Sequence, residues 1–294
     1  MSLGDRADAA AGSVTRADRH ESFLVYARFR FLKIAMAAMA AAVLLYAADK
    51  PDGGRFGGTW AGWTLGIVAA LLIVWLTWFG YRKRSYRKPE ANLVAWLSAH
   101  VYLGLALLVI ATLHTGFYFG WNIHTLAYVL MCLVIASGAF GVFCYVRYPR
   151  RMTENRRELT LRQMLGRIAS FDEELHKAAL GVADQPAAVI RDAIEKTVVG
   201  GSLRQQLLGH YPGCATAVAL TYFGRADIAA SVAQAAEIRK IRMLLEEKAL
   251  LLARARRDIS FKAMLEVWLY IHVPLTFALL AALLAHIVAV LYLW

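Results

Sequence analysis

Residues 96–114 read WLSAHVYLGLALLVIATLH and residues 268–286 read WLYIHVPLTFALLAALLAH. Aligned without a gap, the two stretches share nine of nineteen positions, including the opening Trp and both histidines of each. Leu and Ala matches are common between apolar helices, but a matching Trp and two matching His are not. Each stretch approaches the length needed to cross a bilayer, about 20 apolar residues. In each, two histidines stand fourteen residues apart: His100 and His114, His272 and His286. At about 100° and 1.5 Å per residue, fourteen steps return to within about 40° of the starting direction and advance about 21 Å. The histidines of each pair therefore share a helix face at two depths.

The rest of the sequence supports a membrane setting. Of 294 residues, 59% are hydrophobic, and the mean hydropathy is positive, which argues against a water-soluble domain. The predicted fold class is all-α: an integral membrane bundle of five transmembrane helices, at 31–48, 59–80, 92–119, 124–146 and 263–294. A helical cytoplasmic insertion lies between the fourth and fifth. The expected organisation is an N-terminal cytoplasmic segment (1–30), four membrane helices (31–146), the insertion (147–262) and the last membrane helix (263–294). About thirty polar residues precede the first apolar run, so a cleaved signal peptide is not expected.

Basic residues set the expected orientation by the positive-inside rule. Residues 81–90 read YRKRSYRKPE, with five basic side chains, and Arg147, Arg150, Arg151, Arg156 and Arg157 follow the fourth helix. The opposite connections are poor in net charge. The N-terminus is therefore expected in the cytoplasm and the C-terminus outside, in a bacterial inner membrane. The eight tryptophans (Trp60, Trp63, Trp75, Trp78, Trp96, Trp121, Trp268 and Trp294) fall near predicted helix ends and read as an interfacial belt.

The insertion is rich in Ala, Leu, Arg and Glu and is broken at Gly200-Gly201 and Tyr211-Pro212-Gly213. Apolar residues then recur at helical spacing, with Ile238, Ile241, Leu245, Leu252 and Ile259 on a helix expected to pack in its own domain and run on into the fifth membrane helix. Cys132 and Cys144 sit in one apolar helix and Cys214 stands alone, so no disulfide framework is expected.

Ionisable residues at membrane depth are costly and usually functional. With both bearing helices running the same way, His100 lies level with His272 and His114 with His286. Two facing neutral imidazoles suit a haem iron and saturate it, favouring electron transfer over oxygen chemistry. The sequence thus predicts two non-covalent haem b groups: an inner one held by His100 and His272, and an outer one held by His114 and His286. No Cys-x-x-Cys-His occurs, so covalent attachment is not expected. His124, at the outer end of the fourth helix, reads as an interfacial residue, with contact to a haem propionate or replacement of an outer ligand as alternatives. His20, His176 and His210 lie in polar segments and are given no role. Gly104, Ala106, Ala278 and Ala282 leave room for a porphyrin or for close helix packing. Pro274 bends the fifth helix beyond His272, and Glu266 reads as a headgroup-level residue.

This pattern resembles the transmembrane di-haem cytochromes b, including the b subunit of respiratory bc complexes and ferric-reductase-like membrane domains. The resemblance rests on His100, His114, His272 and His286 and covers less than half the chain. It implies four axial haem ligands and the electron-transfer subunit of an oxidoreductase complex, with no catalytic residues of its own. The bc-type quinol motif is absent, the helical insertion is foreign to both groups, and no Gly-rich nucleotide fingerprint occurs. The expected partners are membrane lipid, a cytoplasmic redox protein or a quinone pool, and an outer acceptor such as a multihaem c-type cytochrome. No nucleic-acid partner is expected. The alternatives are a reductase of metal, oxygen or quinone at the outer face, or a non-redox sensor or scaffold.

Overall fold

The computed structural model describes residues 23–52, 54–85, 91–156, 159–229 and 232–292. Its helices are α1 (Tyr26–Ala48), α2 (Trp60–Ser85), α3 (Ala91–Thr115), α4 (Ile123–Arg156), α5 (Leu161–Ala179), α6 (Asp184–Glu195), α7 (Leu203–Leu208), α8 (Ala215–Ala229) and α9 (Val232–Tyr292). No strand occurs among the described residues. His20, residues 86–90, Arg157 and Trp294 lie outside them. So do the side chains of Arg82, Lys83, Arg84, Arg147, Arg150, Arg151 and Arg156, and with them most of the charge on which the predicted orientation rests.

The chain divides into two compact units, one formed by residues up to Ala139 and from Ile271 onward, the other by Phe140–Tyr270. The first unit packs Ala42 of α1, Leu65 and Ile73 of α2, Leu107 and Ile110 of α3, Met131 of α4 and Leu279 of α9 into one core. Its outer surface is equally apolar: Leu44, Leu71, Phe277 and Leu284 are all well over half exposed. Leaving such a side chain in water forgoes about 1.5–3 kcal/mol, and helices apolar all round belong in lipid. Among the described residues, five helices are long and apolar enough to cross a membrane.

Helix ends differ from the sequence expectation where backbone geometry intervenes. α3 stops at Thr115 rather than 119, because Gly116 (φ +58°) and Phe117 (φ +65°) turn left-handed. A side chain on Gly116 would collide with the Arg55 carbonyl. α1 starts earlier than expected, but Ala27, Arg28 and Phe29 also have left-handed dihedrals, so the regular helix begins close to the predicted residue 31. α4 runs ten residues beyond 146. α9 is a single helix from Val232 to Tyr292 that tolerates Pro274 within it.

The second unit follows the logic of a water-facing helical domain. Reciprocal capping boxes start α5 (Thr160 with Gln163) and α7 (Ser202 with Gln205), each satisfying two otherwise unpaired backbone donors. Gly209 at φ +63° ends α7. Leu175, Ile190, Phe223, Ile241 and Leu245 form one buried cluster, and Met164, Ile168, Leu251, Leu252 and Ala255 another. Within the buried stripe of α9 stands Lys248, 0% exposed. Its Nζ donates to Asp172 Oδ1 at 2.5 Å and to the Ala193 carbonyl at 2.6 Å. Only such pairing makes a charge at a core position tolerable.

The tryptophans divide into exposed residues (Trp60, Trp63, Trp78 and Trp121) and packed ones. Trp75 stacks on Trp96 with ring centres 5.0 Å apart, and Trp268 lies so close to Gly141 that no larger residue fits there. Glu266 is exposed and faces Lys262 at 3.8 Å.

Candidate functional site

The first unit gathers five histidines at two levels. His100 and His272 are near enough for their ring charges to interact. The ring centres of His114 and His286 are 6.1 Å apart and the rings perpendicular. The pairs meet in the same order along α3 and α9, so these segments run parallel, as the two matched sequence stretches require.

At the second level, His114 Nδ1 is 2.7 Å from the Gly62 carbonyl. A carbonyl only accepts, so Nδ1 carries the proton and Nε2 keeps its lone pair. The ring fits against α2 because Gly66 puts no side chain there. A Cβ on Gly66 would lie 2.6 Å from His114 Cε1, and one on Gly57 3.3 Å from the same atom. The connection carrying Gly57 is itself clamped, with Arg55 Nε donating to the Asp49 carbonyl at 2.7 Å and its guanidinium 5.0 Å from the centre of the Tyr46 ring. His286 is joined by His124, their Nδ1 atoms 2.5 Å apart, so one of the two donates to the other.

At the first level, His272 Nδ1 is 2.7 Å from Ser137 Oγ. The serine hydroxyl already donates to the Val134 carbonyl at 2.8 Å. Ser137 Oγ therefore accepts from His272, which again leaves Nε2 with its lone pair. Gly138 stands beside the ring, where an added Cβ would meet Cε1 at 3.5 Å, an ordinary contact. His100 packs on Phe79, ring centres 5.0 Å apart, near the Leu76 carbonyl. Its Nδ1 is buried with no hydrogen-bond partner. Buried polar atoms are rarely left so, which marks this nitrogen as a candidate to bind a group.

The four predicted ligands thus come together in two pairs, and His124 joins the second. Ala106 and Ala282 are buried, whereas Ala278 is exposed and lines neither level. A Cβ on Gly104 would meet nothing within 4 Å, so space is open beside α3 one turn beyond His100. His176 and His210 lie in the second unit.

The spacing of His114 and His286 fits a bis-imidazole metal centre. A ligating nitrogen sits about 2 Å from its metal and about 1 Å from its own ring centre, so two rings across one ion have centres about 6 Å apart. Ligating histidines ordinarily give their other ring N–H to a carbonyl or similar acceptor, as His114 and His272 do.

Sequence reading alone missed these supports. Gly62 and Gly66, four residues apart on α2, form a small-x-x-x-small spacing that marks a close approach of another group. Ser137-Gly138 lies thirteen and fourteen residues beyond His124, a repeat of the ligand spacing on α4. Comparison with family models, with curated proteins and with solved structures finds no match to this chain.

Proposed function

We propose that this chain is a membrane-embedded di-haem b-type cytochrome that carries electrons across the bilayer. The observation that carries the reading is the pairing of four histidines at two levels, with His114 and His272 each locked in the tautomer that presents Nε2. On this reading His100 and His272 hold one haem, and His114 and His286 the other. Each haem, when bound, would supply a one-electron couple.

The protein's own part is to hold and insulate. Gly62 and Ser137 fix the ligand rings, a contribution of about 1 kcal/mol each. Gly57 and Gly66 let the His114 ring lie flush against α2. The core of Leu107, Ile110 and Leu279 keeps water from the region between the levels. A low dielectric there favours exchange between fixed sites over leakage to solvent. The basic runs at 81–90 and 147–157 support a cytoplasmic second unit and an inner-membrane location. The donor is then a cytoplasmic redox protein or quinol, and the acceptor an outer-side protein such as a multihaem c-type cytochrome.

The test is a pyridine haemochrome assay with visible spectra on the detergent-purified protein, expressed with haem precursor supplied. Two b-type haems per chain with a six-coordinate low-spin spectrum are expected. Absence of haem from protein shown by circular dichroism to be folded would overturn the reading.

A further inference from the structure

The second unit holds a cavity of about 500 Å³ that the proposed electron path does not use. It lies between the 209–214 loop, the start of α8 and one face of α9, and its size falls in the usual range for small-molecule sites, about 300–1,000 Å³. Tyr211, Leu252 and Phe261 give it apolar and aromatic walls, Arg256 and Arg257 supply positive charge, and no Asp or Glu lines it.

Arg256 is the unusual member. Its guanidinium lies 4.0 Å from the centre of the Tyr211 ring. Nη2 donates to the Val198 carbonyl at 2.5 Å and to Cys214 Sγ at 3.4 Å. Its Nε is buried with no hydrogen-bond partner. A guanidinium drawn partly out of water, facing neutral acceptors and keeping an unused donor, lacks the counter-charge that would offset its desolvation. Its planar fork matches an oxyanion, and a stacked aromatic ring holds it in place.

We propose that this cavity binds a small amphipathic oxyanion, a phosphate or carboxylate on an apolar or aromatic body. The anionic end lies between Arg256 and Arg257, and the body lies against Tyr211, Leu252 and Phe261. Such a ligand completes the hydrogen bonding of Arg256 and supplies the missing negative charge. The inference is independent of the haem reading, since every residue in it belongs to the second unit.

Cys214 provides the reporter. Partial burial alone would raise the pKa of its thiol, but the hydrogen bond from Arg256, the backbone of Thr216 and Ala217 and the Arg256 charge bring it below the ordinary thiol value. This favours the thiolate, the form that alkylating reagents attack. The rate of iodoacetamide labelling at Cys214, resolved by peptide mass spectrometry on the full-length protein in detergent, is measured with four probes. These are 1-naphthyl phosphate, 1-naphthoate, dihexanoyl phosphatidate and, as a neutral control, 1-naphthol.

Saturable protection by at least one anion, without protection by naphthol, is expected. Protection confined to the phosphatidate identifies a lipid headgroup as the source, and protection by a naphthyl anion a free metabolite. Arg256→Gln also removes the hydrogen bond to the thiol, so the exposed Arg257 is substituted instead. Arg257→Gln should leave the unliganded labelling rate unchanged and weaken protection about tenfold, the loss of one charge-assisted contact. No protection by any anion, equal protection by naphthol, or full protection in Arg257→Gln would each overturn the proposal.

Discussion

The two histidine levels are built from the same residue type but supported differently. Around His114 the support is backbone: the Gly62 carbonyl accepts the ring proton, and glycines at 57 and 66 leave no side chain against the ring. Around His272 the support is a side chain, Ser137, and the neighbouring Gly138 leaves ordinary room. The second level also carries a third imidazole, while the first leaves His100 with an unpaired nitrogen. On the proposed reading, identical ligand pairs in unlike surroundings would separate the properties of two equal cofactors.

On the proposed reading, the largest effects come from breaking one level and leaving the other. Replacing His100 or His272 by Ala should remove the haem of the first level, and replacing His114 or His286 by Ala that of the second. Each variant should fall from two haems per chain to one by haemochrome assay. Loss of both haems from a folded single variant, or of neither, would remove that residue from the scheme.

Packing gives the next contrast. Gly66→Ala places a methyl 2.6 Å from the His114 ring and forces it aside, at about 1–3 kcal/mol. It should weaken retention of the second-level haem during haem-transfer assays to apomyoglobin. Gly138→Ala, with 3.5 Å available, should change haem loss little at either level. Equal behaviour of the two variants would show that the glycine cradle is incidental.

Hydrogen-bond removal is smaller. Ser137→Ala frees the tautomer of His272 and should lower first-level haem affinity by about 10- to 100-fold, the usual size of such an effect, with the second level unchanged. His124→Ala should affect the second level alone and least, moving the redox midpoint of that haem in potentiometric titration while both haems stay bound. Loss of the second-level haem in His124→Ala would instead make His124 a ligand.

Much of the architecture was legible before any coordinates. Apolar runs longer than a soluble helix needs, and the 3.6-residue register of Ile241, Leu245 and Leu252, are one-dimensional signals, and helices follow them directly. The histidine pairs were legible for the same reason: fourteen residues is a near-whole number of turns, so spacing alone gives a shared face. Lys248 was not legible, because its charge is tolerated only through Asp172 and Ala193, 76 and 55 residues away.

What the sequence determined by itself was therefore the periodic part: all-helical character, apolar lengths that fit a bilayer, and two histidines per face at equal spacing. What tertiary structure decided was pairing between distant segments. It set the Gly62 carbonyl against His114, Ser137 against His272, His124 against His286, and Arg256 over Tyr211 beside Cys214. Periodicity fixes where a side chain leaves its own helix, but the partner it meets depends on how separate helices pack, and that is settled by the whole core at once.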